Sequence, residues 1–217
     1  MPPDLILASA SSARAKLLHE MGIPFRVIVS GIDETDIPGE SPESKASRLA
    51  RMKAEAVAGR LRAGIVLGAD SLVVLPLPTP NNLQPRSGDK PHLKILGKPK
   101  DPADAAFMLR LQMGRETEVI TAICLIDAGT GRRREGIDRS RVRLNPMTEK
   151  EIDQYVSSPR VLTSAGGYLI EDEKDPHVTL VQGELGTVLG LPVSLTRRLL
   201  DELVSSGTAA PENNASP

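Results

Sequence analysis

The stretch Leu5-Ile6-Leu7-Ala8-Ser9-Ala10-Ser11-Ser12-Ala13-Arg14-Ala15-Lys16-Leu17-Leu18 decides how this 217-residue chain is read. Leu5-Ile6-Leu7 is a short apolar run of the kind that forms a buried strand. Small residues from Ala8 to Ser12 interrupt it, and a helix is predicted over Ala13 to Leu18, capped by Ser11 or Ser12. A strand, a small polar loop and a helix N-terminus together suit an anion, because free backbone N–H groups and the positive end of the helix dipole converge there. Arg14 and Lys16 sit in the first turn, where a basic residue opposes the dipole, and an anion at that point would account for them. An ordinary capped helix after a strand is the other reading of the same residues.

The length allows one large domain or two small lobes. Trp is absent and Tyr and Phe number two each, so the core has to come from Leu, Ile, Val and Ala. That scarcity argues against aromatic platforms for single-stranded nucleic acid. A net charge of −1 implies no bulk polyanion partner. Cys124, the one cysteine, lies in an apolar run and reads as a core residue; a disulfide framework is excluded, which suits a reducing compartment. With no signal peptide and no membrane-length apolar run, the expectation is a soluble cytoplasmic protein with neither nucleic acid nor membrane as partner.

Along the chain, Pro24 to Val29 reads as a strand, and Ser30 to Glu40 as a loop whose acids Asp33, Glu34 and Asp36 are solvated unless another carboxylate faces them. Ser41-Pro42 opens a helix with the apolar stripe Ala46, Leu49, Ala50, Ala54, Val57 and Leu61. Lys53 falls on that stripe, so it either snorkels or meets an anion. Two short strands, Ile65–Leu67 and Leu72–Leu75, are predicted on either side of Gly68-Ala69-Asp70-Ser71. A lone carboxylate between apolar runs is costly unless paired or metal-bound, which marks Asp70 as functional. Residues 76–92 read as an inserted loop, followed by the turn Gly97-Lys98-Pro99.

The second half carries a helix over Asp101–Met113, strands over Glu118–Ile126 and Ile137–Leu144, a capping box at Thr148–Glu151, a close-approach segment Ala165-Gly166-Gly167-Tyr168, and an acid cluster at Glu171, Asp172 and Glu173. A strand over Val178–Val181 and a helix over Ser194–Leu203 follow. Arg139, Arg141 and Arg143 share one strand face, read as solvated since the chain is not basic. Residues 1–204 are therefore expected as one domain, with a disordered tail over 205–217.

Leu7 to Arg14 with Leu17-Leu18, Gly68 to Ser71, Gly97 to Pro99, and Ala165 to Tyr168 with Gly190-Leu191-Pro192 resemble, as a set and in this order, the Maf family of nucleoside triphosphate pyrophosphatases. The resemblance runs from about Leu5 to Leu203. It implies an α/β fold related to inosine triphosphate pyrophosphatase: a mixed, elongated sheet with flanking helices and two lobes around a central cleft. It implies hydrolysis of a nucleoside triphosphate to the monophosphate and pyrophosphate with a divalent metal, magnesium or manganese, in a homodimer. By the same resemblance, Ser9 and Arg14 hold the triphosphate, and Lys53 and Lys98 neutralise phosphate oxygens. Asp70 is the catalytic carboxylate, and Glu34 joins it at the metal. A triphosphate does need such cations, and magnesium takes oxygen ligands, so the chemistry is consistent with these roles.

The departures concern the base. Where the family carries a first basic residue, this chain has Ala13, and the other two positions linked to base preference are Ser71 and Glu171. Relatives resembling thymidine and uridine triphosphate hydrolases would carry arginine, threonine and glutamine there, and those resembling 7-methyl-GTP hydrolases would pair glutamate at the third position with tryptophan at the first. A carboxylate only accepts hydrogen bonds, so Glu171 favours a base offering N–H donors, such as cytosine or a guanine edge. A nucleotide-binding regulator of cell division with little catalysis is the alternative reading. A P-loop enzyme is disfavoured because no G-x-x-x-x-G-K-[ST] run exists.

Overall fold

The structure is a computed structural model that describes residues 4–77, 92–170 and 175–205. Most of the expected inserted loop, the acid cluster Glu171, Asp172 and Glu173, and the tail beyond Ser205 lie outside the described residues. The elements run β1 (Leu5–Leu7), α1 (Ser12–Glu20), β2 (Phe25–Val27), α2 (Pro42–Ala58), β3 (Ile65–Leu77), β4 (His92–Leu96), α3 (Pro102–Gln112), β5 (Glu116–Asp127), β6 (Arg133–Leu144), α4 (Glu149–Val156), β7 (Val178–Gln182), α5 (Leu185–Leu189) and α6 (Val193–Ser205). Two short 3-10 turns, Val161–Thr163 and Ala165–Gly167, lie between α4 and β7.

The strands form one mixed sheet in the order β2-β1-β3-β5-β6-β7, with β4 also paired to β3. β3 corrects the sequence reading. Instead of two short strands around a break at Gly68–Ser71, the chain runs unbroken from Ile65 to Leu77. The reason is β5, which pairs antiparallel with every residue from Ile65 to Val74 and carries the ladder through the small residues. On the opposite edge the partners change. β1 lies parallel to Ile65–Leu67, and β4 lies antiparallel to Val73–Leu77. Among the described residues Gly68 to Leu72 have no strand partner on that edge, so the sheet forks there, and Asp70 is at the middle of the fork.

Apolar clusters fill both sheet faces. Leu5, Leu7, Leu67, Ile123 and Leu125 pack against Leu17 and Leu18 of α1 and Leu195, Leu199 and Leu203 of α6. Ile6, Val66, Val74, Ile120 and Cys124 meet Ala46, Ala50, Ala54 and Val57 of α2. Val73, Leu75, Leu96, Leu109, Leu144, Ile152 and Tyr168 make the core of a second lobe around β4, α3 and α4. The mixed sheet with two lobes matches the expected architecture, and Cys124 is a core residue as expected.

Several local expectations are met. Ser11 caps α1 by accepting the Arg14 N–H, and Thr148 with Glu151 forms the capping box of α4. Arg139, Arg141 and Arg143 lie on an exposed face in ion pairs with Glu43, Glu118 and Glu116. Others need correction. α2 ends at Ala58, before Leu61. Lys16 pairs with Glu20 on the surface, so of the two basic residues in the first turn only Arg14 turns inward. The short helix α5 gave no sequence signal, its five residues being too few for a periodicity. No described helix is long and apolar enough to cross a membrane.

The approach of α2 to the fork is set by one glycine. A Cβ at Gly68 would stand 2.2 Å from the Ala50 carbonyl oxygen and 2.8 Å from the Ala54 nitrogen. Only a residue without a side chain lets the helix lie this close, and the alanines of α2 complete the fit. Gly68 and Asp70 point to the same side of β3, so the spacing that Gly68 permits also brings Lys53 down to Asp70. Gly68→Ala is expected to push α2 off the sheet, costing roughly 1–3 kcal/mol by overpacking and lengthening the reach of Lys53. Urea unfolding checks the first effect, and the change in turnover checks the second.

Candidate active site

Arg14 is fixed by three neutral acceptors from three parts of the chain. Its Nη1 donates to Ser9 Oγ at 3.0 Å, its Nη2 to Ser71 Oγ at 3.2 Å and its Nε to the Gly190 carbonyl at 2.9 Å. Ser9 Oγ also accepts the Ser11 N–H. The α1 start, β3 and the end of α5 are thereby tied together at one guanidinium. Gly190 must be glycine here. Its φ is +97°, and a Cβ would stand 3.1 Å from both Arg14 Nε and Ser71 Oγ. No carboxylate lies within ion-pairing distance of Arg14 among the described residues; burial lowers its pKa, and the more distant Asp70 and Glu34 partly restore it. A cation with only neutral partners, with N–H groups still unused, is suited to receive an anion.

On the other side of β3, Lys53 Nζ lies 2.6 Å from Asp70 Oδ1 and 2.8 Å from Glu34 Oε1. Asp70 and Lys53 are nearly enclosed, with side chains 8% and 10% exposed, whereas Glu34 is 54% exposed. Asp70 Oδ2 is buried and has no hydrogen-bond partner among the described residues. Desolvation raises the Asp70 pKa above the ordinary aspartate value, against the opposing pull of Lys53 and Arg14. The stripe position of Lys53 therefore reflects an anion rather than snorkelling. Glu34 is the one acid of its loop that shares a cation with a second carboxylate, while Asp36 pairs with Lys45 and Glu40 with Arg48.

The fork opens into a cleft of about 820 Å3 lined by Ser9, Arg14, Glu34, Lys45, Lys53, Asp70, Ser71 and Lys98 among others. All five residues expected around the phosphates and the catalytic acid, Ser9, Arg14, Lys53, Lys98 and Asp70, thus border one space together with Glu34. Lys98 is exposed and has no ion pair among the described residues. A smaller adjoining pocket of about 220 Å3 is lined by Ala13, Ser71, Val73, Val119, Tyr168, Leu169, Ile170 and Leu189 among others, and it shares Arg14 and Lys98 with the cleft. It brings together Ala13 and Ser71. Glu171 lies outside the described residues.

Ala165 and Tyr168, at the two ends of the turn Ala165-Gly166-Gly167-Tyr168, line that pocket. Gly166 and Gly167 have φ of +77° and +71°, and the Gly166 N–H donates to the Gly97 carbonyl, so this turn seats directly on the one bearing Lys98. Gln112, fully buried, donates to the Gly166 carbonyl from α3 at 2.7 Å.

Sequence reasoning missed Lys45, Thr121 and Thr187. Lys45 stands eight residues before Lys53 on α2, a helical spacing that places it on the same side. Thr121 lies directly across from Ser71 on β5, and its hydroxyl is 2.8 Å from Ser71 Oγ and 2.7 Å from the Thr187 carbonyl. Nothing in the sequence signals a pairing across fifty residues.

A family model described as Maf-like protein matches residues 4–203. The chain is 38% identical over 201 residues to a protein of Syntrophus aciditrophicus named dTTP/UTP pyrophosphatase, covering 93% of this chain and 90% of the relative. It is 36% identical to a protein of Salinispora tropica named nucleoside triphosphate pyrophosphatase, covering 94% and 85%. A Bacillus cereus protein named dTTP/UTP pyrophosphatase is 37% identical, covering 92% and 93%. Both arms of the fork and the helices that cover them fall inside these matches, and the chain belongs to the Maf family.

Proposed function

We propose that this protein hydrolyses nucleoside triphosphates to the monophosphate and pyrophosphate in the cleft at the fork. The observation that carries the reading is Asp70, a nearly enclosed carboxylate held by Lys53 through one oxygen while the other has no partner, with Arg14, Lys98 and the α1 N-terminus bordering the same cleft. The names of the relatives support it. The triphosphate lies across Ser9, the start of α1, Arg14, Lys53 and Lys98, whose positive charges offset its own. A water oxygen bonds to the α-phosphorus as the α–β bridging P–O bond breaks and pyrophosphate leaves. The proton of that water passes to the Asp70 carboxylate. Burial makes this carboxylate more basic than an exposed one, and Lys53 keeps it ionised.

A divalent metal fits the residues present. Glu34 and Asp70 supply two hard oxygen donors on either side of Lys53, and Asp70 Oδ2 is an unused acceptor. Among the described residues no cluster of three or more His, Cys, Asp or Glu offers a complete cage. Magnesium or manganese, held through these two carboxylates plus phosphate oxygens and water, matches that donor set. When bound, the ion neutralises phosphate charge and makes a coordinated water more acidic.

The smaller pocket suits the base. Its lining mixes apolar side chains, Val73, Val119, Leu169, Ile170 and Leu189, with polar ones such as Ser71, and it shares Arg14 and Lys98 with the larger cleft. Uridine and thymidine triphosphates are the first substrates to consider, since five relatives at 36–38% identity are named dTTP/UTP pyrophosphatase. Ala13, Ser71 and Glu171 differ from the arginine, threonine and glutamine expected of that branch, and they make base preference a property to measure. A cytoplasmic homodimer belongs to the same proposal. The exposed Val27 on the outer strand β2 and Leu180 and Val181 on β7 give it apolar surface at the sheet edges.

Asp70→Asn is expected to keep the fold and reduce kcat by about 10²–10⁴-fold, the range of a positioned general base. Pyrophosphate release with magnesium and with manganese, alongside circular dichroism, checks this. The wild-type rate depends on ionised Asp70, whose pKa is raised. Activity should therefore fall as pH drops through a value above the ordinary 3.8, and a profile flat down to that value would refute the assignment. Glu171→Gln should reorder the ranking of bases in a triphosphate panel; an unchanged ranking removes Glu171 from the base pocket.

A further inference from the structure

Ser71, Thr121 and Asp138 stand side by side on β3, β5 and β6, in direct register across the sheet. They occupy the face opposite Asp70, because successive residues of β3 alternate. Thr121 and Thr187 are fully buried. Thr187 donates its hydroxyl to Asp138 Oδ2, and its carbonyl accepts from both the Thr121 hydroxyl and the Gly190 N–H. The Gly190 carbonyl accepts Arg14 Nε, and Arg14 Nη2 returns to Ser71. The hydrogen bonds thus close into a ring around Ser71.

Counting protons fixes the direction of each bond. A hydroxyl has one proton and two lone pairs. The Thr187 carbonyl can only accept, so the Thr121 proton goes to it. The contact between Thr121 and Ser71, 2.8 Å long, then requires Ser71 to donate. A guanidinium only donates, so Ser71 accepts from Arg14 through one lone pair. What Ser71 has left for the pocket it lines is a lone pair and no proton.

We infer that Thr121 is a positioning residue that holds the Ser71 proton away from the pocket, so that Ser71 meets the nucleotide base as an acceptor only and favours bases with an N–H at that edge. The inference rests on the reading of the smaller pocket as the base pocket. Asp138 supports the arrangement by holding Thr187, and with it the carbonyl that takes the Thr121 proton.

With Ser71 set against ring position 3, UTP and CTP test it: uracil carries an N–H there, whereas cytosine has a bare nitrogen and its N–H groups on the neighbouring 4-amino group. Pyrophosphate release gives the ratio of kcat/KM for UTP to that for CTP in the wild type, Thr121→Val, Thr121→Ser, Ser71→Ala and the Thr121→Val/Ser71→Ala double variant. This ratio does not depend on the fraction of folded enzyme, since both nucleotides sample the same active molecules. The wild type should favour UTP. Thr121→Val frees the Ser71 proton and should reduce the ratio by about threefold to tenfold, the weight of one neutral hydrogen bond. Thr121→Ser keeps the hydroxyl and should retain the wild-type ratio. In the Ser71→Ala background, Thr121→Val should change the ratio no further. An unchanged ratio in Thr121→Val, an equal fall when Ser71 is absent, or a wild type indifferent to the two bases overturns the inference while hydrolysis stands. No pyrophosphate from any triphosphate tested would instead remove the functional reading and the inference with it.

Discussion

The unpaired edge of β3 between Gly68 and Leu72 is the constraint on which the rest of this structure depends. A sheet satisfies its backbone groups by continuing its ladders, and a gap five residues long is tolerated where solvent or a ligand can reach it. Here β1 leaves the edge at Leu67 and β4 joins it at Val73. Because β5 pairs along the whole of the other edge, the strand stays straight through the gap and keeps Asp70 and Ser71 pointing to opposite faces. One strand thereby serves two sites, with an acid and its lysine on one side and an arginine tether and hydroxyl row on the other.

The Lys53–Asp70 pair illustrates why such an arrangement is retained. Removing two charges from water costs several kcal/mol per ion, an order that mutual attraction offsets only with good geometry. The pair has one short contact and leaves Asp70 Oδ2 without a partner, so the structure carries an acceptor whose desolvation is uncompensated. An apolar pair of similar size would pack as well with less penalty. The cost is understandable if the unpaired oxygen is the reactive one. Glu34 completes the picture from the solvent side, bridging to the same ammonium and making Lys53 the hub between a sealed acid and an open one.

Arg14 shows how much of this site was legible in advance. Its position in the first turn of a helix opposes the helix dipole, and that misplacement is visible in the sequence. Lys16, two residues on, carries the same signal and turns out to be a surface residue paired with Glu20. Local pattern marks a turn as unusual, but which side chain faces inward depends on what packs above it. Lys53 was legible for a stronger reason, since a charge on a long apolar stripe has to be compensated wherever the helix docks. The continuous β3 was not legible, because Gly-Ala-Asp-Ser has the composition of a turn and only a long partner strand holds it extended.

By itself the sequence determined the alternation of strands and amphipathic helices, the Ser11 and Thr148 caps, the presence of charge on apolar stripes, and through its motif set the family and the acidic and basic residues that border the cleft. These follow from interactions within a few residues or from composition, which the linear chain carries. Only the tertiary structure decided that β1 and β4 share one edge of β3 and leave a gap between them, that Glu34 and Asp70 meet at one lysine, and that Ser71, Thr121 and Asp138 line up across three strands. Those depend on strand register and on the close approach that Gly68 allows α2. Both are set by packing between segments far apart in sequence, where no local pattern reports them.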